Sequence, residues 1–377
     1  MASGGSAWGS RSGFILASVG FAVGLGNIWR FPYVTGENGG SAFVLIYLLC
    51  AFGIGVPILM AEFLLGRRAQ RSPPFAIAAV AQESGLSVRW SWVGNLTILT
   101  AFGILMSYAV VAGWVLYYFY LALTGEMLAS SPTQAQLTFS ELLADPITLV
   151  FWGSVALLSA ALIIAAGVQQ GIERAVKILM PMLFGLLLLL MVFNVFTGGM
   201  PQALDYLFTP DFSKVDGSTF LAALAQAFFS IGVAMAGMMM FGAYLPKTIS
   251  IAQSAVIIVA ADTAVALLAG LVIFPMVFHN QLDVGAGTGL IFQTLPVAFA
   301  RMDGGAVVGA VFFLLLCVAA ITSIVGLSEP VTGYVAERWQ LTRRPAAFAM
   351  LGTLFPFPVF SVLPFRTWRS VRLAGQS

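Results

Sequence analysis

Three groups of polar residues stand in otherwise apolar sequence, and their types suit the binding of ions. The first is Gly20-Phe21-Ala22-Val23-Gly24-Leu25-Gly26-Asn27-Ile28-Trp29-Arg30-Phe31-Pro32, inside an apolar run long enough to span a bilayer. Each glycine costs a helix interior about 1 kcal/mol against alanine. Asn27 and Arg30 add polarity and Pro32 interrupts the hydrogen-bond ladder, so the run reads as a broken helix. Glycines also permit close helix packing, but their clustering with Asn27, Arg30 and Pro32 favours the break. Irregular backbone at membrane depth is tolerated only where protein covers it or it lines a cavity. There, freed N–H groups hold an anion and freed carbonyls hold a cation. The second group is Asp262, in IIVAADTAVALLAGLVIF with no basic residue near it in that helix. A carboxylate there costs about 2.5–3.5 kcal/mol to insert and is by default functional. The third is the pair Thr322-Ser323 in CVAAITSIVG. Its hydroxyls either bond back to their own helix or join an oxygen shell around a hard cation.

The elements that must position these residues are membrane helices. The 377 residues are 60% hydrophobic and 8% charged, with a mean hydropathy of +0.97, which excludes an ordinary soluble domain. A net charge of +2 argues against nucleic acid as a partner. Cys50 and Cys317 lie in apolar runs without disulfide or metal spacing, and the single histidine, His279, makes zinc or triad chemistry an unsuitable reading. No enzyme activity is expected. The first apolar run is full length with no small-residue cleavage site after it, so it reads as a span and not as a signal peptide.

Nine segments are apolar enough to span, near 13–35, 41–65, 90–123, 147–165, 174–198, 218–245, 252–279, 304–336 and 345–364. With the N-terminus cytoplasmic, the inner loops hold Arg11, Arg67, Arg68, Arg71, Arg89, Arg174, Lys177, Lys247, Arg338, Arg343 and Arg344. The outer loops before the tail hold Arg30, Lys214 and Arg301, a bias that places the N-terminus inside. Arg366, Arg369 and Arg372 run against it, because nine spans put them outside. A second, gentler interruption lies in segment six, Phe228-Phe229-Ser230-Ile231-Gly232-Val233-Ala234-Met235-Ala236-Gly237. Interrupted segments in corresponding positions of two halves point to a transport site. The chain is thus expected to be one membrane domain, 1–377, with a first repeat at 13–198 and an incomplete second repeat at 218–364.

The run GFILASVGFAVGLGNIWRFPY followed by ENGGSAF resembles the first helix of the neurotransmitter:sodium symporter family, in its bacterial amino-acid-transporter branch. The likeness continues to about Pro345. It implies an all-α membrane protein with a five-plus-five inverted-repeat fold, helices 1 and 6 broken. Family members have eleven or twelve spans, so the second repeat is expected to be incomplete and the reading truncated, frameshifted or a short variant. Matching residue by residue implies a first sodium site from the Ala22 carbonyl, the Asn27 side chain, Ser230 and Asp262. It implies a second from the carbonyls of Gly20, Val23 and Ala319 with the hydroxyls of Thr322 and Ser323. The amides near Leu25 and Gly26, with Tyr108, would take a substrate carboxylate. The carbonyls of Ala22, Phe229 and Ser230 would take its ammonium. Val23, Ile104, Tyr108, Phe229, Gly232, Met235, Ser323 and Leu327 would line the side-chain pocket. Members that carry amines have Asp where this chain has Gly24.

The family commonly has Asn where this chain has Asp262, and its chloride-dependent members have a small polar residue where this chain has Ala266. Tyr47, Gln226 and Ser230 match the remaining chloride ligands. The Asp262 carboxylate is therefore expected to replace chloride, giving chloride-independent transport with a proton on the return limb. Arg30 matches an outer gate whose acidic partner lies in a tenth segment, with Phe229 and Tyr108 as an aromatic lid. Glu337 matches the inner-gate acid, whose arginine is replaced by Gly5, so both gates are expected to lack a partner. Glu62, in ILMAEFLLGRR, matches an acid that braces the break in segment six. The implied activity is sodium-coupled symport of a neutral, hydrophobic or aromatic amino acid by alternating access, in a bacterial plasma membrane. The partners are sodium ions, the amino acid and the bilayer. The alternative is a transport-defective or binding-only truncated homologue.

Overall fold

Three prolines inside apolar helical segments, Pro32, Pro57 and Pro296, each follow a widened turn that keeps the backbone paired. A computed structural model describes residues 7–282, 284 and 289–355, and among them the regular structure is helical. Wide turns occupy Gly26–Arg30 ahead of Pro32, Ala51–Gly55 ahead of Pro57, and Leu290–Thr294 ahead of Pro296. Proline lacks the N–H that a regular turn would use, and a locally widened ladder accommodates the loss.

The first span is α1 (Arg11–Ala22) and α2 (Gly26–Glu37), bent by 47° at the break between them. Ser10 caps α1, accepting from the Gly13 amide at 3.0 Å. Then come α3 (Ser41–Ala69), α4 (Pro73–Glu83), α5 (Val88–Thr124), α6 (Pro132–Ala144), α7 (Pro146–Ala165), α8 (Val168–Phe196) and α9 (Met200–Phe208). The second broken span is α10 (Gly217–Ile231) and α11 (Gly237–Ala243). The chain continues through α12 (Ile251–His279), α13 (Leu290–Arg301), α14 (Gly305–Trp339) and α15 (Arg343–Leu354).

The most enclosed long helix is α14, which packs on α1, α5, α7, α8 and α15. Helices approach closely where side chains are absent. A Cβ on Gly66 of α3 would lie 1.9 Å from the Met239 carbonyl of α11, and one on Gly113 of α5 would lie 2.7 Å from the Gly153 amide of α7. Such small-residue crossings are the usual means of packing where lipid supplies no hydrophobic drive between helices. Outward faces carry exposed apolar side chains such as Leu49, Leu189 and Phe196, as a lipid contact requires.

The nine expected spans are corrected in detail. Among the described residues, six helices are long and apolar enough to cross, and the bent pair α1–α2 makes a seventh. Segment six is two short helices, so neither half reaches spanning length alone. Segment five begins at Val168, earlier than expected, because a wide turn precedes Arg174. Segment nine is helical over Arg343–Leu354, and its remainder from 356 lies outside the described residues. Helices α4, α6, α9 and α13 were not expected. They are short, and α9 is strongly one-sided, which a search for spanning runs passes over.

Candidate functional site

Both breaks face the middle of the bundle, and each is held by a polar side chain from another helix. In the second break Gly232 takes φ +75°, and Ala234 and Ala236 each take φ 62°. A left-handed non-glycine residue costs about 1–2 kcal/mol, so this conformation needs support. Glu62 of α3 supplies it, its Oε1 accepting the Ala234 amide at 2.6 Å. The acid thus stands at the segment-six break, where the resemblance placed it.

At the first break Asn27 makes a buried knot with α10 and α12. Its Nδ2 donates to Asp262 Oδ1 at 2.7 Å, to the Asp262 carbonyl at 3.0 Å and to Ser230 Oγ at 2.9 Å. Its Oδ1 accepts the Gly24 amide at 3.1 Å. Ser230 Oγ donates to Asp262 Oδ2 at 2.7 Å, and Tyr47 Oη reaches the same oxygen at 3.4 Å. The expected members of the first sodium site, Asn27, Ser230 and Asp262, are therefore in direct contact beside the break that holds Ala22. Gln226, matched with Tyr47 and Ser230 to the chloride ligands, turns elsewhere: its Nε2 donates to the Gly26 carbonyl at 2.9 Å and its Oε1 accepts from Arg30. The Arg30 guanidinium also lies over the Phe229 ring, 5.1 Å from the centroid.

The second cation group gathers where α1 crosses α14. Ser323 Oγ lies 3.5 Å from the carbonyls of both Phe21 and Val23. Gly20 faces Thr322, whose Cβ is 3.6 Å from where a Gly20 Cβ would stand. Thr322 Oγ1 donates to the Val318 and Ala319 carbonyls, both at 3.0 Å, so its hydroxyl is bonded back to its own helix. Gly20, Val23, Ala319, Thr322 and Ser323 are thus neighbours.

A small cavity lies between the two breaks. Ala22, Gly26, Ile104, Tyr108, Phe229, Gly232, Met235, Ser323 and Leu327 line it. Val23, Leu25 and Ser230 are not in its wall, although the Leu25 amide donates to Tyr108 Oη at 3.0 Å. Gly24 lines it as well, and a Cβ there would meet Ser323 Oγ at 2.2 Å and Tyr108 Oη at 2.8 Å. Phe21 also forms part of the wall and was not foreseen. No acidic or basic side chain is in the lining, so a neutral ligand side chain fits and a charged one would be buried unpaired.

On the side of α1's N-terminus, the expectation of an unpartnered Glu337 is overturned. Glu337 accepts from Arg71 Nε at 2.6 Å and from the Ser72 amide and hydroxyl at 2.8 and 2.6 Å. Arg71 follows the end of α3, far from Glu337 in sequence, so only the folded packing brings them together. A second pair joins Arg343 Nη2 to the fully buried Glu329 at 2.6 Å, and Tyr244 Oη donates to the other Glu329 oxygen at 2.6 Å. Trp8 Nε1 donates to the Phe241 carbonyl at 3.0 Å. Glu173 accepts from the Gly9 amide and the Ser10 hydroxyl and pairs with Lys177. Arg30, expected to lack an acidic partner, is engaged by Gln226 and Phe229. Among the described residues no cluster of three or more histidine, cysteine or acidic side chains is placed to hold a metal.

Comparison with known proteins shows the family and the fold. The model of the sodium:neurotransmitter symporter family matches residues 5–142 and 134–365. An uncharacterized sodium-dependent transporter of Haemophilus influenzae is 32% identical over 98% of this chain and 82% of its own length. The uncharacterized sodium-dependent transporter YhdH of Bacillus subtilis is 33% identical over 98% of this chain and 81% of its own length. The crystal structure of MhsT in complex with L-phenylalanine superposes with a TM-score of 0.88 at 38% identity, covering 99% of this chain and 84% of that one. The chain shares the fold of that protein, and its two broken helices fit it.

Proposed function

Because the chain belongs to the sodium:neurotransmitter symporter family, in its bacterial branch, we propose that it carries a neutral amino acid with a hydrophobic or aromatic side chain into a bacterial cell. The protein is a multi-pass, sodium-dependent membrane transporter and not an enzyme. The reading of its substrate rests on one observation, the uncharged cavity between two broken helices beside the Asn27–Ser230–Asp262 knot. The L-phenylalanine bound by MhsT is of the same class.

In this account sodium enters the knot and the α1–α14 crossing as a co-substrate. The amino acid's carboxylate meets the Leu25 and Gly26 amides and Tyr108 and completes the oxygen shell of the first ion. That shared oxygen couples the two binding events. Carbonyls of Ala22, Phe229 and Ser230 accept from the ammonium, and Gly24 leaves room for the carboxylate. Occupation of both sites stabilises closure beneath Arg30 and Phe229. Release of the second ion frees α1 to move away from α14 on the inner side, where Glu337 and Glu329 hold the closed arrangement. The N-terminus is cytoplasmic, the repeats run over 13–198 and 218–364, and Asp262 with Tyr47 supplies the negative charge that chloride supplies in other members.

The test is uptake of radiolabelled phenylalanine or leucine by proteoliposomes under an inward sodium gradient. Accumulation that requires sodium, ignores replacement of chloride by gluconate and is not competed by lysine or glutamate supports the proposal. Accumulation driven equally by a potassium gradient, or competed best by a charged amino acid, contradicts it.

A further inference from the structure

Phe21 lies at the end of the inner half of the first span and is seated among three glycines, two from the second broken span and one from α14. A Cβ on Gly237 would lie 2.6 Å from both Cε1 and Cζ of the ring, and one on Gly232 would lie 2.8 Å from Cε1. A Cβ on Gly326 of α14 would lie 2.3 Å from Cδ2 and 2.7 Å from Cβ and Cγ. All these separations are shorter than real Cβ contacts. The Phe241 ring meets Phe21 edge-on at 6.0 Å and 70°. Phe21 is only 5% exposed, and it lines the cavity.

The glycines touch different parts of the side chain. Gly326 meets the root of the ring, which cannot turn away without separating α1 from α14. Gly237 meets the free end, which turns about the side-chain bonds. Gly232, Gly326 and Phe241 crowd the ring and the cavity that Phe21 lines adjoins it, so a ring tip displaced by a Gly237 Cβ is expected to move toward the cavity. Gly237 itself does not line the cavity, and its backbone lies outside the left-handed region, so alanine is compatible with its conformation.

We propose that Gly237 and Phe21 together set the size of the side chain this transporter accepts. Phe21 is the floor of the side-chain pocket, and Gly237 is a positioning residue that lets the floor lie back. Gly326 serves a separate end: by admitting the root of Phe21 it holds α1 against α14, where Gly20, Val23 and Ser323 meet. The inference rests on the cavity being the amino-acid site.

The experiment uses the full chain, purified in detergent, with sodium-dependent binding of radiolabelled leucine displaced by valine, phenylalanine and tryptophan. Gly237→Ala is expected to lower the affinity for phenylalanine and tryptophan relative to valine by about tenfold, the scale on which a pocket senses a methylene-sized change. Phe21→Leu is expected to move the same ratio the other way, and the double variant to return it toward wild type. Gly326→Ala is expected to raise the sodium concentration for half-saturation and leave the ratio unchanged. Equal loss for all ligands in Gly237→Ala, or no rescue by Phe21→Leu, overturns the proposal. If Gly237→Ala is not monodisperse, an unmoved ratio in Phe21→Leu alone overturns it. Failure of the wild type to bind any of these amino acids with sodium removes the functional reading itself. Binding by the wild type with an unmoved ratio removes only the role of Gly237 and Phe21.

Discussion

Replacing Asp262 by asparagine keeps the shape of the side chain and removes its charge. The carboxylate is fully buried and accepts from Asn27 and Ser230 at 2.7 Å each and from Tyr47 at 3.4 Å. None of these partners is cationic, so a bound ion is what would balance the charge. A hydrogen bond to a charged group contributes about 1.5–3 kcal/mol. A cation within roughly 4 Å of the carboxylate gains about 4 kcal/mol at an effective dielectric of about 20. A sodium ion held by Asn27 and Ser230 shares two of the partners of Asp262, so it stands to lose an energy of that order. Asp262→Asn should therefore weaken sodium affinity about 100- to 1,000-fold. The assay is sodium-dependent binding of radiolabelled phenylalanine, titrated with sodium chloride and with sodium gluconate. The wild type should give one curve in both salts. Asp262→Asn should be weak in both, because Ala266 leaves the anion site without its hydroxyl. Asp262→Asn with Ala266→Ser should recover in chloride alone. A wild type that needs chloride, or an Asp262→Asn variant with wild-type sodium affinity in gluconate, would refute the reasoning.

Other predictions concern the ion pairs on the inner side and the packing. Arg343→Ala leaves the buried Glu329 with Tyr244 alone, and breaking a buried pair costs about 3–5 kcal/mol. Thermal unfolding should show a clear loss that adding Glu329→Gln partly restores. Arg71→Ala breaks a half-exposed pair with Glu337, worth about 1 kcal/mol or less in stability. It should instead raise labelling of a cysteine introduced near Gly20 from the cytoplasmic side. In α3, Gly66→Ala places a Cβ 1.9 Å from the Met239 carbonyl and 2.8 Å from the Ala243 amide. Neither backbone atom yields easily, so the variant should not elute as a monodisperse species. Gly103→Ala, with open space around its Cβ, should elute like the wild type.

The sequence told most where one residue type conflicts with its surroundings. Asp262 in a predominantly apolar run, and the glycines with Asn27 and Arg30 in the first run, announced the knot and the first break. The second break was legible as a run of small residues, but its left-handed Ala234 and Ala236 were not, because alanine adopts that conformation only when another group holds it, here Glu62. Pairings between distant segments were also hidden. Arg71 with Glu337, and Arg343 with Glu329, depend on which helix ends meet, so comparing positions with relatives left Glu337 alone. Phe21 read as one more apolar residue. Its role comes from three backbones that leave room for its ring, a property of packing that no local pattern records.

The most direct test of the central claim is equilibrium binding of radiolabelled phenylalanine to the purified chain and to Asn27→Ala, each in sodium and in potassium buffer. The wild type should bind saturably in sodium and not in potassium, and a folded Asn27→Ala should bind in neither buffer. Equal binding in potassium, or sodium-dependent binding retained by Asn27→Ala, would contradict that claim.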